Sequence, residues 1–148
     1  MNRNTNILII EDDQDTRTLI RYALIQDHRQ ILDVSNADEA LLLLETYSPE
    51  IILLDIGLKG SIDGLSLYEK IATDIRFRKT KVVIVSGSTP YDHIEKARSL
   101  GVAVYLEKPF SPEKLNAVVS SLESRDMFIV PRVSNNKENF SYDELLDW

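Results

Sequence analysis

A chain of 148 residues has room for about one domain and, at 43% apolar and 28% charged, the composition of an ordinary globular protein. A formal net charge of −7 argues against general affinity for nucleic acid or an anionic membrane, and the lack of cysteine excludes disulfides and thiol catalysis. The opening MNRNTNILIIEDD meets acids too soon to hold a signal-peptide core or a membrane span, so the chain reads as soluble and cytoplasmic.

Short apolar runs rich in Ile and Val recur along the chain, and each reads as a buried strand. The first is residues 6–10, the second 31–34, the third 51–54, the fourth 82–85 and the fifth 102–106. Helical spacing fills the gaps. After the second run, Ala37, Ala40, Leu41 and Leu44 fall at i, i+3, i+4, i+7, inside a four-leucine run wider than one face needs. After the third, Leu65, Tyr68, Ala72 and Ile75 give another stripe. Gly101 follows KARSL as a helix-terminating glycine. After the fifth, Leu115, Val118, Val119 and Leu122 repeat the helical spacing, with Ser111 as N-cap and Pro112 in the first helical position. His28 reads as a cation in the last turn of the first helix and His93 as a surface residue of the fourth.

Five strand-then-helix units mean an α/β fold: a doubly wound, five-stranded parallel sheet with helices on both faces. The flavodoxin-like order 2-1-3-4-5 suits that number. Residues 1–123 make this domain. Residues 124–148 are too few for a second one and read as a polar tail or linker. Ser141 and Glu144 offer a capping box there for a short amphipathic helix over 141–148.

In such a sheet ligands bind beyond the carboxyl ends of the strands. Glu11, Asp12 and Asp13 follow strand one, Asp55 closes strand three, Ser86 strand four, and Lys108 comes just after strand five. The topology therefore gathers distant acids in one crevice, where two charges about 4 Å apart repel by roughly 4 kcal/mol at an effective dielectric of about 20. One divalent ion would balance Glu11, Asp12 and Asp55 against Lys108. All-oxygen ligands favour Mg²⁺ over zinc, and neither histidine has metal-ligand spacing to the acids. A hydroxyl and an ammonium beside a metal suit a phosphoryl group, with Asp55 as the nucleophile that accepts it.

Taken together, ILIIEDD, IILLDIGL, VVIVSGS and YLEKPF resemble, in order and separation, the receiver domain of two-component response regulators, of the single-domain, chemotaxis-regulator-like type, over residues 6 to about 122. The resemblance implies that Asp55 is the phosphorylated aspartate. Glu11 and Asp12 would be the metal-binding pair, with Asp12 the more direct ligand, and the Gly57 carbonyl would complete the shell. Ser86 and Lys108 would contact the phosphoryl group, and Ser86 and Tyr105 would form the switch. It also implies a cis Lys108–Pro109 bond, and a histidine kinase or phosphotransfer protein as donor. Output would pass to a downstream effector protein through the fourth helix, fifth strand and fifth helix, a face that can also pair two copies, without direct contact to nucleic acid or membrane. Turnover in the usual enzymatic sense is not implied, only self-phosphorylation and slow autodephosphorylation. Two departures stand out: Lys59 replaces the family's usual proline four residues after the acceptor, and GLKGSIDG is one residue longer than usual before Gly64.

Other readings fit less well. A receiver-like scaffold that binds partners without phosphorylation is the main alternative. A flavodoxin-type cofactor binder would need a phosphate-cradling loop where EDDQD stands, and an aspartyl phosphatase would want a second acid where Gly57 stands.

Overall fold

The computed structural model describes residues 4–87 and 90–123, so Ser88, Thr89 and the expected tail with its 141–148 helix lie outside the described residues. Five strands alternate with five helices: β1 Thr5–Ile10, α1 Gln14–Leu24, β2 Arg29–Val34, α2 Ala37–Leu43, β3 Ile51–Asp55, α3 Gly64–Ala72, β4 Lys81–Ser86, α4 Tyr91–Ser99, β5 Val104–Glu107 and α5 Pro112–Glu123. A 3-10 turn at Ile75–Phe77 leads into β4. All strand pairs are parallel, in the order β2-β1-β3-β4-β5, as the βα alternation predicts.

Strand alternation divides the core in two. Ile7, Ile9, Leu53, Val83 and Leu106 face α1 and α5, where Ile20, Leu24, Leu115, Val118, Val119 and Leu122 close the layer. Leu8, Ile10, Ile52, Leu54 and Ile84 face the other helices, meeting Ala40, Leu67, Tyr68, Ile71 and Ala97. Burial on both faces explains why β3 is apolar from end to end until Asp55.

Local chemistry sets the element ends. Asp13, Asn36 and Asp63 cap α1, α2 and α3 by accepting backbone N–H groups three residues on. Ser111 caps α5 as its sequence suggests, its Oγ accepting from Lys114 N at 3.1 Å. At the end of α4, Gly101 has φ +90° and donates to Arg98 O, while Val102 donates to Ala97 O. This Schellman closure uses the Val102 N–H, so β5 begins at Val104, two residues later than the apolar run suggests.

The expected α3 stripe is also corrected. Gly64, Leu67, Tyr68 and Ile71 are buried, Leu65 is half-buried, and Ala72 and Ile75 are exposed. The cause is Gly64: a Cβ there would stand 2.5 Å from Ile56 O and 2.6 Å from Asp55 O. The helix starts in contact with the β3 exit, and that contact sets its roll. Ile75 lies beyond the helix, in a turn capped by Asp74. In the four-leucine run Leu42 is exposed, while Leu41 and Leu43 pack against the core.

At the pole where the strands begin, Arg29 is fully buried as a side chain. Its five N–H groups are all used: Nε and Nη2 grip Glu123 at 3.0 and 2.9 Å, Nη1 reaches Leu24 O and Asn116 Oδ1, and Nη2 also reaches Ser120 Oγ. His28 Nε2 stands 2.9 Å from Glu123 Oε2, in the loop after α1 rather than in its last turn. Lys81 Nζ donates to Leu122 O at 2.9 Å. The end of α5 is thus tied to β2 and β4.

Candidate phosphoryl-acceptor site

The opposite pole holds the acids. β1 delivers Glu11 one residue past its end, where Glu11 N still bonds to Val34 O. β3 ends in Asp55, level with Val85 of β4. Ser86 closes β4, and Lys108 N donates to Ser86 O at 2.7 Å just beyond β5. Glu11, Asp12 and Asp55 each present a carboxylate oxygen within 4.8 Å of the others. Glu11 and Asp55 are buried and Asp12 is exposed.

Lys108 joins the two buried acids, its Nζ 3.1 Å from Glu11 Oε1 and 3.4 Å from Asp55 Oδ2. Gly57 N–H donates to Asp55 Oδ1 at 2.8 Å, and a Cβ on Gly57 would stand 3.3 Å from that oxygen. The Asp55 carboxylate is therefore oriented from two sides, and glycine leaves the approach to it uncrowded. Burial and the neighbouring Asp55 charge push the Glu11 carboxyl up to about 7. Burial works against the Lys108 charge, but Asp55 and Glu11 outweigh it and hold the ammonium above the usual lysine value.

Three carboxylates against one ammonium leave negative charge uncancelled. The donors fit a small hard cation: they are all oxygen, and opposite ligands of Mg²⁺ stand about 4.2 Å apart, so a spread of 4.8 Å asks only for small side-chain rotations. Ser86 Oγ is buried and has no hydrogen-bond partner among the described residues. A buried hydroxyl left in that state commonly awaits a ligand or water. Tyr105, on the strand beside it, is buried at 8% exposure.

Asp13, which follows the acid pair, is committed to capping: its Oδ2 accepts from Thr16 N and Oγ1, and these bonds hold its carboxyl below the usual range. The Lys108–Pro109 bond is cis. In the long loop Lys59 is exposed, Gly60 has φ +138°, and Ser61 Oγ donates to Asp38 Oδ2 at 3.0 Å, which ties the loop to α2. Sequence reading passed over Arg17, whose Nη1 donates to Glu11 O at 2.8 Å and whose Nε lies 3.4 Å from Asp33. An arginine one turn into the helix that follows an acid pair was the available signal.

Comparison with known proteins agrees with the geometry. A family model described as the response regulator receiver domain matches residues 7–120. The transcriptional regulatory protein KdpE of Staphylococcus aureus is 33% identical over 80% of this chain and 50% of its own length. The alkaline phosphatase synthesis transcriptional regulatory protein PhoP of Bacillus subtilis is 29% identical over 86% of this chain and 52% of its own. The chain therefore spans about half the length of these curated relatives. Among solved structures, a receiver domain of a Francisella response regulator superposes with a TM-score of 0.70 at 25% identity, covering 80% of this chain and 96% of that one.

Proposed function

The chain belongs to the response regulator receiver domain family, and from that premise we propose that Asp55 accepts a phosphoryl group from a phosphohistidine of a partner kinase or phosphotransfer protein. The observation that carries this reading is the buried Asp55 carboxylate held between Gly57 N–H and Lys108 Nζ, with Glu11 and Asp12 beside it. An Asp55 oxygen attacks phosphorus; the new O–P bond forms as the P–N bond to histidine breaks, and the imidazole leaves with that electron pair. Glu11, Asp12, Asp55 and the Gly57 carbonyl would hold Mg²⁺, which when bound offsets the charge gathered on the transferring oxygens. Lys108 follows the same charge from the other side, and its contact with Glu11 keeps it aimed. Ser86 Oγ, partnerless among the described residues, becomes a donor to a phosphoryl oxygen.

Phosphorylation replaces about one negative charge by about two. The Ser86 carbonyl accepts the Lys108 N–H, so a shift of Ser86 toward the new oxygens is felt on β5, where Tyr105 lies. Ser86 and Tyr105 thereby bias the α4-β5-α5 face between two arrangements, for a downstream effector protein or a second copy. Among the described residues no helix is long and apolar enough to cross a membrane, and a cytoplasmic location is part of this proposal.

The test is incubation of the full chain with a small acyl phosphate and Mg²⁺, read by intact mass. The wild type gains one phosphoryl group, and Asp55→Asn does not. A wild type that gains nothing points instead to a receiver-like scaffold working without phosphorylation.

A further inference from the structure

The pole of the sheet far from Asp55 carries a surface that phosphoryl chemistry leaves unused. Between α3 and β4 the chain reads DIRFRKTK over residues 74–81. Buried Phe77 pins this turn to the core and leaves Ile75 facing out, 72% exposed. Arg76 is matched by Asp74, with Nη2 and Oδ2 2.8 Å apart. Arg78 and Lys79 are exposed, and no ion pair joins either of them to another described residue. The result is an apolar spot with a positive flank, on a protein whose net charge is −7.

The same pole is where α5 ends. Lys81, two residues beyond Lys79, donates to Leu122 O, and Arg29 holds Glu123. Residues 124–148 therefore start beside this patch. Their last eleven, ENFSYDELLDW, hold Glu138, Asp143, Glu144 and Asp147 with no Lys, Arg or His, together with Phe140, Leu145, Leu146 and Trp148. That composition complements the patch in both charge and apolar character.

We propose that residues 140–148 occupy the Ile75, Arg78 and Lys79 surface of their own molecule. The 16 residues at 124–139 are enough to reach it: a linker of that length spans about 20–24 Å. Tethering at such a distance gives an effective concentration in the millimolar range, so modest contacts suffice. The acids meet Arg78 and Lys79 while the apolar side chains cover Ile75. This places the segment away from the α4-β5-α5 face and leaves that face open to partners.

Trp148 is the sole tryptophan of the chain, which makes its fluorescence a direct reporter. In the full wild-type chain at low salt its emission is blue-shifted and shielded from acrylamide relative to the free peptide 138–148. Arg78→Glu with Lys79→Glu removes two exposed ion-pair partners and lowers the docked-to-free ratio by about two- to tenfold. Ile75→Ser and 1 M salt act in the same direction. Adding Asp143→Lys and Glu144→Lys to the charge-reversed protein restores the shielding. Emission of the wild type identical to that of the free peptide overturns the proposal. So does shielding that ignores the Arg78 and Lys79 reversal, and so does shielding that vanishes on dilution, which would place the segment on a second copy.

Discussion

Replacing Arg29 by methionine isolates the energetics of the pole where α5 is tied down. Methionine keeps an unbranched apolar stem but deletes all five donors. Glu123, with a side chain only 14% exposed, then loses its bidentate partner and keeps His28, Asn116 Oδ1 keeps only the Gln26 donor, and Ser120 Oγ and Leu24 O lose their Arg29 donor. Breaking one side of a buried charge pair costs about 3–5 kcal/mol, a large share of the ~5–15 kcal/mol typical of whole-domain stability. With a urea m-value of about 2 kcal/mol per molar, the unfolding midpoint falls by roughly 2 M. Burial pushes the Glu123 carboxyl up, yet the hydrogen bonds from Arg29 and Thr5 and the Arg29 charge outweigh it and hold it below its ordinary 4.5. A depressed carboxyl contributes stability above its unfolded value and loses it as pH falls through the folded one. The gap between wild type and Arg29→Met therefore narrows below about pH 4.5. Replacing Glu123 by leucine in the Arg29→Met background, which leaves no charge unpaired, recovers part of the loss. A single-variant midpoint shift under about 0.5 M at unchanged m would refute the reasoning.

Other outcomes follow from the same geometry. Gly64→Ala puts a methyl 2.5 Å from Ile56 O and must displace the α3 start or the β3 exit, lowering stability by about 1–3 kcal/mol in chemical denaturation. Asp12→Asn removes the exposed member of the acid trio without touching the core. Calorimetric titration should show Mg²⁺ affinity falling about tenfold or more, with the urea midpoint held. Ser86→Ala removes a buried hydroxyl with no hydrogen-bond partner among the described residues, so the unmodified protein loses little stability. Amide exchange on β5 and α4, compared before and after acyl phosphate, should then change less than in the wild type.

The sheet and the acid cluster were legible because both rest on short-range pattern. Apolar runs ending in Asp55 or Ser86 declare buried strands and their carboxyl ends, and topology then brings Glu11 to Asp55. What escaped depends on particular atoms meeting, some of them far apart in sequence. Arg29 carries no local sign of burial; its partners Asn116, Ser120 and Glu123 come from one face of α5, 87 to 94 residues away. Their spacing of four and three residues was the only trace. The α3 stripe was misjudged because its phase is set by how closely Gly64 can approach two carbonyls, which hydrophobic period does not encode. β5 was begun too early because Val102 is as apolar as a strand residue but lends its N–H to close α4.

The length of β3 has one more effect. Its five residues, Ile51 to Asp55, hold the two poles about 17 Å apart. Across that gap a unit charge added at Asp55 acts on a surface charge with about 0.2 kcal/mol in water or about 1 kcal/mol at an effective dielectric of about 20, and roughly two Debye lengths of physiological salt bring either below thermal energy. The sheet therefore works as an electrical insulator between the reactive rim and the exit of the chain. Whatever crosses it must travel as displaced atoms, and its strength should be indifferent to ionic strength.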